Sequence, residues 1–418
     1  MEFINYLRKH IVYDTFINSI PLQDLQTIVV IPCFNEPGLI ASLQSLWEAD
    51  LPTKPVEIIV VINSGEKATS NELSQNEKSI AEFNRWIVNH QKPEKQFHLI
   101  HVTGLPHKIA GVGMARKIGM DEAVRRFEIT ENYNGIIVGF DADATCAPNY
   151  FCEIENYFDQ HPKINCASLY FEHPVDGSEF DANLYQSIIQ YELYLRYYIQ
   201  ALRFAKFPFA YHTIGSSFAV RAAAYMSQGG MNRKKAGEDF YFLQKLIPLG
   251  KFGEIKTTTV FPSPRPSDRV PFGTGASMQK MIDEKQEVYF TYNFDAFILL
   301  KDFLLRIDIL FKADSEKYTG FLNHIEPVFK DFLNQNSFFE SLVEINNHSP
   351  EIKTFYKRFY QWFDAFRVLK FMNFAHENVF QKMPVTESAI KLLRFSGSNN
   401  ILTGAKDLLM VYRRMEKV

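Results

Sequence analysis

Two aspartates separated by one alanine directly follow an apolar run in "GIIVGFDADATCAPNYF", residues 135–151. The run from Ile136 to Phe140 is typical of a central strand buried on both faces, so Asp141 and Asp143 emerge at its carboxyl end. Residues i and i+2 of an extended chain project to the same side, and open α/β sheets bind ligands beyond the carboxyl ends of their strands. A divalent cation removes the repulsion between two such carboxylates, and hard oxygen ligands favour Mg²⁺ or Mn²⁺. The sequence predicts a metal site at Asp141 and Asp143, completed by phosphate oxygens.

The alternative for Asp-Ala-Asp is a turn that caps the following helix, since aspartates do both readily. The context favours the metal site. The motif ends an apolar run, follows three strand–helix units and precedes Pro148 and a further helix.

Strands and helices alternate before the two aspartates. The apolar runs "TIVVIP", "VEIIVVI", "FHLIHV" and "GIIVGF" predict strands, and the segments between them predict helices. In the first helix Asn35 is the expected cap and Pro37 suits the first turn. The polar stretch 64–79 is interpreted as a solvated loop with no function, leading into a helix before Ile80. Such alternation predicts an α/β fold with a mostly parallel sheet.

A long helix predicted over 180–204 carries Tyr191, Tyr194, Tyr197 and Tyr198 at helical spacing. This stripe is interpreted as a core or domain-contact face, with a peripheral membrane contact as the alternative. From about residue 281 strand signals fade. The predicted domains are an N-terminal helical extension over 1–26, an α/β domain over 27–280 and an all-helical domain over 281–418.

Composition limits the classes of function. The net charge of −3 gives no global reason to bind nucleic acid, and four cysteines without a CxxC pair are expected to be reduced thiols. The N-terminus lacks the pattern of a signal peptide, and charged residues interrupt the most apolar stretch. The expected location is the cytoplasm.

Four motifs in order over residues 27–246 resemble family 2 glycosyltransferases with the GT-A fold. "TIVVIPCFNEPGLIASLQSL" resembles their first strand, Pro-x-Phe/Tyr-Asn-Glu turn and first helix, and "GMARKIG" resembles their Gly-x-x-x-Ala-Arg-Asn-x-Gly segment. "DADATCAPNYF" is similar to their metal-binding motif, and "GEDFYFLQKL" to the Glu-Asp motif that opens a helix. The order of four motifs is far more specific than any one of them.

The resemblance implies a sugar donor carried on a nucleoside diphosphate, and an acceptor that is a glycan, a lipid-linked molecule or a small molecule. The residues expected on the donor side are Pro32, Asn35, Glu36, Asn63, Lys108, Arg116, Asp141, Ala142, Arg265 and Arg269. For Lys108 and Arg116 the alternative is a pair of solvated helix charges. The segment 263–277, with its two arginines, is either a loop that closes over a diphosphate or an ordinary connection.

Asp239 is the candidate catalytic base, because an inverting transfer needs a carboxylate to take the proton of the acceptor hydroxyl. A position at a helix N-terminus stabilises the anion. Glu238 is expected to orient Asp239 or the acceptor. The alternative for both residues is a helix cap without catalytic work.

Several departures from the family pattern matter. Asn63 and Ser64 stand where Asp-Asp-Gly-Ser is common, Lys117 replaces an asparagine, and no histidine follows Asp239 before His324, so a third metal ligand is not identified. The Gln-x-x-Arg-Trp motif of processive synthases is absent, which favours transfer of a single sugar. The helical domain is expected to shape the acceptor site or to form a homo-oligomer. The rival functions are a sugar nucleotidyltransferase and a non-catalytic sugar-nucleotide or partner-binding protein on the same fold.

Overall fold

The apolar runs that predicted strands lie in one sheet of a computed structural model, which describes residues 2–267, 269, 271–397 and 404–418. Residues 1–178, 213–279 and 417–418 form one unit, here called the sheet unit. Residues 179–212 and 280–416 form the second, the helical unit. The predicted α/β domain included 179–212. The division of the chain at 26/27 and 280/281 stays a prediction.

The strands of the sheet unit are β1 (Thr27–Cys33), β2 (Val56–Gly65), β3 (Lys95–Leu105), β4 (Ile136–Gly139), β5 (Thr145–Cys146), β6 (Cys166–Phe171), β7 (Phe218–Arg221) and β8 (Phe252–Phe261). Their order in the sheet is β3-β2-β1-β4-β7-β6-β8-β5. The first four strands in this order, β3, β2, β1 and β4, run parallel to one another. Strand β7 runs antiparallel to both β4 and β6. The strands predicted from the apolar runs are confirmed.

The helices of the first part of the chain are α1 (Glu2–His10), α2 (Leu39–Glu48), α3 (Ser70–Ile87), α4 (Val112–Ile129), α5 (Tyr150–Gln160), α6 (Ala182–Phe204), α7 (Ala222–Ser227), α8 (Glu238–Leu246) and α9 (Thr274–Asp283). The polar stretch taken as a loop is shorter than predicted, because Thr69 and Glu72 form a reciprocal capping box that starts α3 at Ser70.

Strand β1 lies in the buried middle of the sheet, and it contains Pro32. The carbonyl of Val30 accepts a hydrogen bond from the Phe140 N–H, which lies toward β4. Backbone groups two residues apart in a strand point to the same edge, so the nitrogen of Pro32 also points toward β4. Pairing of β1 with β4 ends at Val30, and therefore no ladder bond requires the N–H that proline lacks. Beyond Val30, β1 stays paired with β2 as far as Cys33, and its edge toward β4 is unpaired.

Helix α4 is buried along most of its length, and the N-terminal segment holds it from one side. The Tyr6 hydroxyl donates to Asp121 at 2.7 Å, and the backbone N–H of Ile17 donates to Glu122 at 3.0 Å. Helix α1 covers only residues 2–10 of the predicted helical extension. These contacts fix the helix that carries the "GMARKIG" motif.

The helical unit contains α6 and a series of helices that follow α9. These are α10 (Phe294–Leu305), α11 (Ser315–Leu322), α12 (Pro327–Gln335), α13 (Phe338–Asn347), α14 (Ile352–Trp362), α15 (Ala365–Asn378), α16 (Val385–Phe395) and α17 (Ala405–Lys417). Two residue-pair strands, β9 (Phe290–Thr291) and β10 (Met383–Pro384), form a small antiparallel ladder. The predicted change to helical structure is confirmed.

Two further features bear on the sequence predictions. All four cysteines are free thiols, as expected. Over the described residues, no helix combines the length and apolar character needed to cross a bilayer.

Candidate active site

Asp141 and Asp143 lie in the turn that follows β4. The turn closes with a hydrogen bond from the Ala144 N–H to the Asp141 carbonyl at 3.1 Å, and the Ser42 hydroxyl donates to the same carbonyl at 3.2 Å. Ala142 is buried between them. Helix α5 begins only at Tyr150, so the alternative that Asp-Ala-Asp caps this helix is wrong.

The turn after β1 contains Asn35 and Glu36. Asn35 has a positive φ of 50° and α2 begins at Leu39 after Gly38, so the prediction that Asn35 caps this helix is wrong. The reason is that Glu36 folds back instead: its Oε1 accepts from the Gly38 N–H at 2.7 Å. Pro37 correspondingly precedes the helix. The other Glu36 oxygen remains available to charged partners.

Helix α3 supports this turn, a role that the sequence interpretation missed. The buried Asn76 side chain accepts from the Asn35 N–H at 2.8 Å, and the Ser79 hydroxyl donates to the Glu36 carbonyl at 2.9 Å. The available signal was periodic: Asn76 and Ser79 share the helical face of Phe83. Polar residues on an apolar face indicate buried hydrogen-bonding partners.

The end of β2 is tied to the start of α4. Asn63 is buried, and its Nδ2 donates to the Gly111 carbonyl at 3.3 Å, while its own carbonyl accepts from Asn76 at 3.4 Å. Lys108 lies before α4 rather than on it, as an exposed side chain in the turn 106–109. The expectation that Lys108 is a helix charge is therefore wrong.

Arg116 joins the two acidic motifs. Its guanidinium pairs with Asp141 through one terminal nitrogen and with Glu238 through the other, the latter at 3.0 Å. The arginine is 2% exposed, which excludes the alternative of a solvated helix charge. Burial alone would lower the pKa of the guanidinium, but the charges of Asp141 and Glu238 outweigh it and the pKa is raised. Residues about one hundred positions apart are thereby held in one ion cluster.

Two glycines allow this close packing. A Cβ on Gly215 would come within 2.2 Å of an Arg116 guanidinium nitrogen, and a Cβ on Gly113 would come within 2.2 Å of the Lys234 carbonyl oxygen. Only residues without a side chain permit these approaches. The chain before β7 therefore contributes backbone, through Gly215, to the surroundings of Arg116.

Glu238 and Asp239 open α8 as predicted. Gly237 is the cap residue, so neither acid caps the helix, and Asp239 Oδ1 accepts from the Phe240 N–H at 2.7 Å. Burial raises the pKa of Glu238 to about 7 against the opposing charge of Arg116. Burial likewise raises the pKa of Asp239, again opposed by Arg116. Burial thus favours the protonated form of both carboxyl groups, whereas the charge of Arg116 favours the ionised form.

The two arginines of the segment 263–277 meet the turn after β1. Arg265 pairs with Glu36 Oε2, and Arg269 lies 3.1 Å from the same oxygen while donating to the Phe34 carbonyl at 2.9 Å. Arg265 also lies 3.8 Å from Asp143 Oδ2. This segment is more than a connection, because its cations face the carboxylates at the ends of β1 and β4.

The site carries more acidic than basic groups. Three arginines, Arg116, Arg265 and Arg269, face five acids, Glu36, Asp141, Asp143, Glu238 and Asp239. Burial and the charges of Asp141 and Glu36 raise the pKa of Asp143 to about 7, although both loop arginines oppose the shift. An added cation would relieve this repulsion. Within the described ranges, no three His, Cys, Asp or Glu side chains are grouped to hold a metal ion, so such a cation would depend on two protein carboxylates and on ligand oxygens.

The family model described as glycosyl transferase family 2 matches residues 28–227. No curated protein sequence matches the chain.

Solved structures give weaker likenesses. TarS of S. aureus, residues 1–349 in complex with UDP-GlcNAc, is 14% identical over 71% of this chain and 79% of its own, with a TM-score of 0.39. The mannosyltransferase PcManGT from Pyrobaculum calidifontis, in complex with GDP-Man and Mn²⁺, is 13% identical over 99% of this chain and 92% of its own, with a TM-score of 0.35. Both TM-scores lie below 0.5, so the assignment rests on the family match.

That match begins in β1, extends through the Asp-Ala-Asp turn and ends at the last residue of α7, and thus covers most of the strands described above. The predicted GT-A type of α/β fold with a helical C-terminal region is confirmed. Residues 28–227, somewhat under half of the chain, match glycosyl transferase family 2, and the protein is a glycosyltransferase.

Proposed function

We propose that the protein transfers a sugar from a nucleoside-diphosphate donor to an acceptor hydroxyl with inversion at the anomeric carbon, with Asp239 as base. The observation that carries this proposal is the bridge of Arg116 between Asp141 and Glu238. It brings the acidic turn after β4 and the acidic start of α8 to one point. Donor chemistry and proton transfer require such proximity.

Asp239 takes the proton of the acceptor hydroxyl. As that oxygen forms a bond to the anomeric carbon, the bond from this carbon to the diphosphate oxygen breaks and the electron pair leaves with the diphosphate. The raised pKa of Asp239 favours proton uptake. The N-terminus of α8 stabilises the anionic form that accepts the proton. Glu238, held by Arg116 at 3.0 Å, orients this end of the helix.

Asp141 and Asp143 would hold Mn²⁺ or Mg²⁺ together with diphosphate oxygens. The residues fit such an ion, because the carboxyl group of Asp143 lies against two other acids and its pKa is raised to about 7. The ion supplies positive charge that offsets the charge developing on the diphosphate. Arg265 and Arg269 supply further positive charge from the protein, and Glu36 holds both in place.

The remaining donor-side residues have supporting roles. Asn35, Pro32, Asn63 and Ala142 shape the backbone at the ends of β1, β2 and β4, where a nucleotide would lie against the sheet. Lys108, exposed before α4, has no packing role that would compete with a phosphate contact.

The first test is ligand-induced thermal stabilisation. Uridine and guanosine diphosphates and their hexose conjugates are added with and without Mn²⁺ to the wild type and to Asp143→Ala. We expect a metal-dependent rise in Tm with one nucleotide class in the wild type, because a ligand that binds only the folded state stabilises it. Asp143→Ala should lose the metal-dependent part.

The matched control is Asp159→Ala, an exposed residue of α5, which should behave as the wild type. Absence of any shift with every nucleotide would contradict the proposal and favour a partner-binding protein. Release of pyrophosphate from a nucleoside triphosphate and a sugar phosphate would instead identify a nucleotidyltransferase.

A further inference from the structure

The tyrosine stripe of α6 forms an aromatic cluster inside the helical unit. The ring of Tyr194 lies 5.0 Å from that of Tyr289 and 6.4 Å from that of Tyr198, and Tyr198 lies 6.0 Å from Tyr292. Tyr191 lies 5.7 Å from Tyr289. Tyr191 and Tyr292 are buried, whereas Tyr194, Tyr198 and Tyr289 are partly exposed. These five residues are called the tyrosine cluster below.

The segment that carries Tyr289 and Tyr292 is fixed in position by α6. Gln190 accepts from the Tyr289 N–H at 2.8 Å, and the Tyr197 hydroxyl donates to the Tyr292 carbonyl at 2.9 Å. The β9–β10 ladder continues this support, with the Val385 N–H donating to the Tyr289 carbonyl at 2.8 Å. The aromatic surface is therefore preorganised, and a ligand would not have to order it.

The second side of the segment is held by α15. Asn373 Oδ1 accepts from the Tyr292 hydroxyl at 2.7 Å, and His376 Nε2 accepts from the Asn293 N–H at 2.8 Å. Tyr292 thus has a hydrogen-bond partner. The cluster is locked between two helices of the same unit.

The hydroxyls of Tyr194 and Tyr198 differ from that of Tyr292. Across the part of the chain that the structure describes, neither makes a hydrogen bond to protein. Burial and the neighbouring tyrosines raise the pKa of Tyr194 well above its usual value, and burial with Tyr292 raises that of Tyr198. Both hydroxyls remain protonated donors at any physiological pH. They can still donate to a ligand, and their rings can still bury an apolar surface.

The charges around the cluster argue against a membrane surface. Membrane-binding helices carry Lys and Arg on their polar face, but Arg196 in the middle of α6 is fully buried and paired with Glu192 at 2.8 Å. The one cation over a ring of the cluster among the described residues is Lys382, 5.7 Å from the centre of the Tyr292 ring. A hydroxyl-bearing aromatic surface suits a ligand that combines hydroxyls with apolar faces.

We propose that the tyrosine cluster binds a carbohydrate chain. Tyr194 and Tyr198 stack against sugar rings and donate their hydroxyls to sugar oxygens, while Tyr289 and Tyr292 form the floor. The proposed carbohydrate binding does not depend on the proposed glycosyl transfer. The two proposals are therefore tested separately.

The experiment measures binding of linear hexaoses by calorimetry. The panel contains malto-, cello-, manno- and chito-hexaose, and vesicles of phosphatidylglycerol are assayed in parallel. We expect one hexaose to bind the wild type, Tyr194→Phe and Tyr198→Phe each to weaken binding several-fold, and the double variant Tyr194→Leu/Tyr198→Leu to weaken it at least tenfold. Tyr133→Phe, a partly exposed tyrosine outside the cluster, is the matched control.

The phenylalanine variants keep the ring packing, so they report on binding even if the double variant is unstable. The nucleotide-induced rise in Tm should be unchanged in all of them. If no hexaose binds the wild type, if the vesicles bind instead, or if the phenylalanine variants bind as tightly as the wild type, the carbohydrate subsite is refuted. If no nucleotide raises the Tm of the wild type, only the transferase proposal is refuted.

Discussion

Two clusters of arginines and carboxylates, one in each unit, show how the same residue types serve different ends. In the helical unit Glu192 accepts from Arg196 and Arg413 at 2.8 Å each, and Glu416 pairs with Arg196 and with His212 at 3.1 Å. These residues are here called the helical cluster. In the sheet unit Arg116 pairs with Asp141 and Glu238.

The two clusters differ in balance. In the helical cluster two arginines meet two glutamates, and the neighbouring charges of His212 and Arg196 outweigh burial and lower the pKa of Glu416 to about 2. In the sheet unit burial raises the pKa of both Asp143 and Glu238 to about 7. A balanced buried network keeps its charges and holds helices together. In a network with excess acid the carboxylates repel one another, and binding of a cation or a proton relieves the repulsion. This property is expected of a catalytic site.

The largest effect should follow from removing the proposed base. Asp239→Asn should lower kcat by about a thousandfold, the range expected of a general base, while nucleotide-induced stabilisation persists. The measurement is transfer rate with the donor found by thermal shift. Asp407→Asn, at the exposed first turn of α17, should keep full activity. Equal rates in Asp239→Asn and the wild type would remove Asp239 from the mechanism.

Breaking the helical cluster should affect stability instead. Glu192→Gln leaves two buried arginines without their shared carboxylate and should lower the free energy of unfolding by about 3–5 kcal/mol. Urea denaturation measures this loss. Glu344→Gln, an exposed position of α13, should change it by under about 0.5 kcal/mol. A Glu192→Gln protein as stable as the wild type would show that the helical cluster is not structural.

Asp143→Asn should raise the free energy of unfolding when no metal is bound, the opposite of the loss expected for Glu192→Gln. Folding raises the pKa of this carboxyl from 3.8 to about 7, so its contribution favours folding at low pH and turns unfavourable as pH rises from about 4 to about 7. One pKa unit corresponds to about 1.4 kcal/mol; since the side chain keeps 26% exposure, we expect Asp143→Asn to gain about 2 kcal/mol at pH 8. Urea denaturation at pH 5 and pH 8 tests this, with Asp159→Asn as control. No gain at pH 8 would argue that the repulsion is already relieved.

The smallest effect concerns the acid limb of the pH–rate profile. The charge of Arg116 opposes the rise that burial causes in the pKa of Glu238 and of Asp239. Arg116→Gln removes this charge and should shift the acid limb of kcat/KM to higher pH by about one unit. Arg116→Lys keeps the charge and should shift it less. Lys117→Arg, whose side chain pairs with Asp121 instead, controls for disturbance of α4. An unchanged acid limb in Arg116→Gln would separate Arg116 from proton transfer.

The secondary-structure elements and the order of the motifs follow from local stretches of the chain. Apolar runs such as Ile136–Phe140 report burial locally, because a strand enclosed on both faces needs no polar residue. Asp141, Asp143 and Asp239 could therefore be placed at the end of a strand and at the start of a helix from neighbouring residues alone. Of the α6 tyrosines assigned to a core or domain-contact face, Tyr191 and Tyr197 are buried, whereas Tyr194 and Tyr198 are partly exposed.

Which side chains meet depends on how distant elements pack. Nothing local to Arg116 shows that it faces both Asp141 and Glu238, or that Asn76 supports Asn35 from a stretch taken as a solvated loop. The same limit led to the wrong cap at Asn35. A buried polar group must find a partner, but the partner is whichever residue the packing of distant elements brings within hydrogen-bonding distance. The spacing of residues along the chain does not specify that partner.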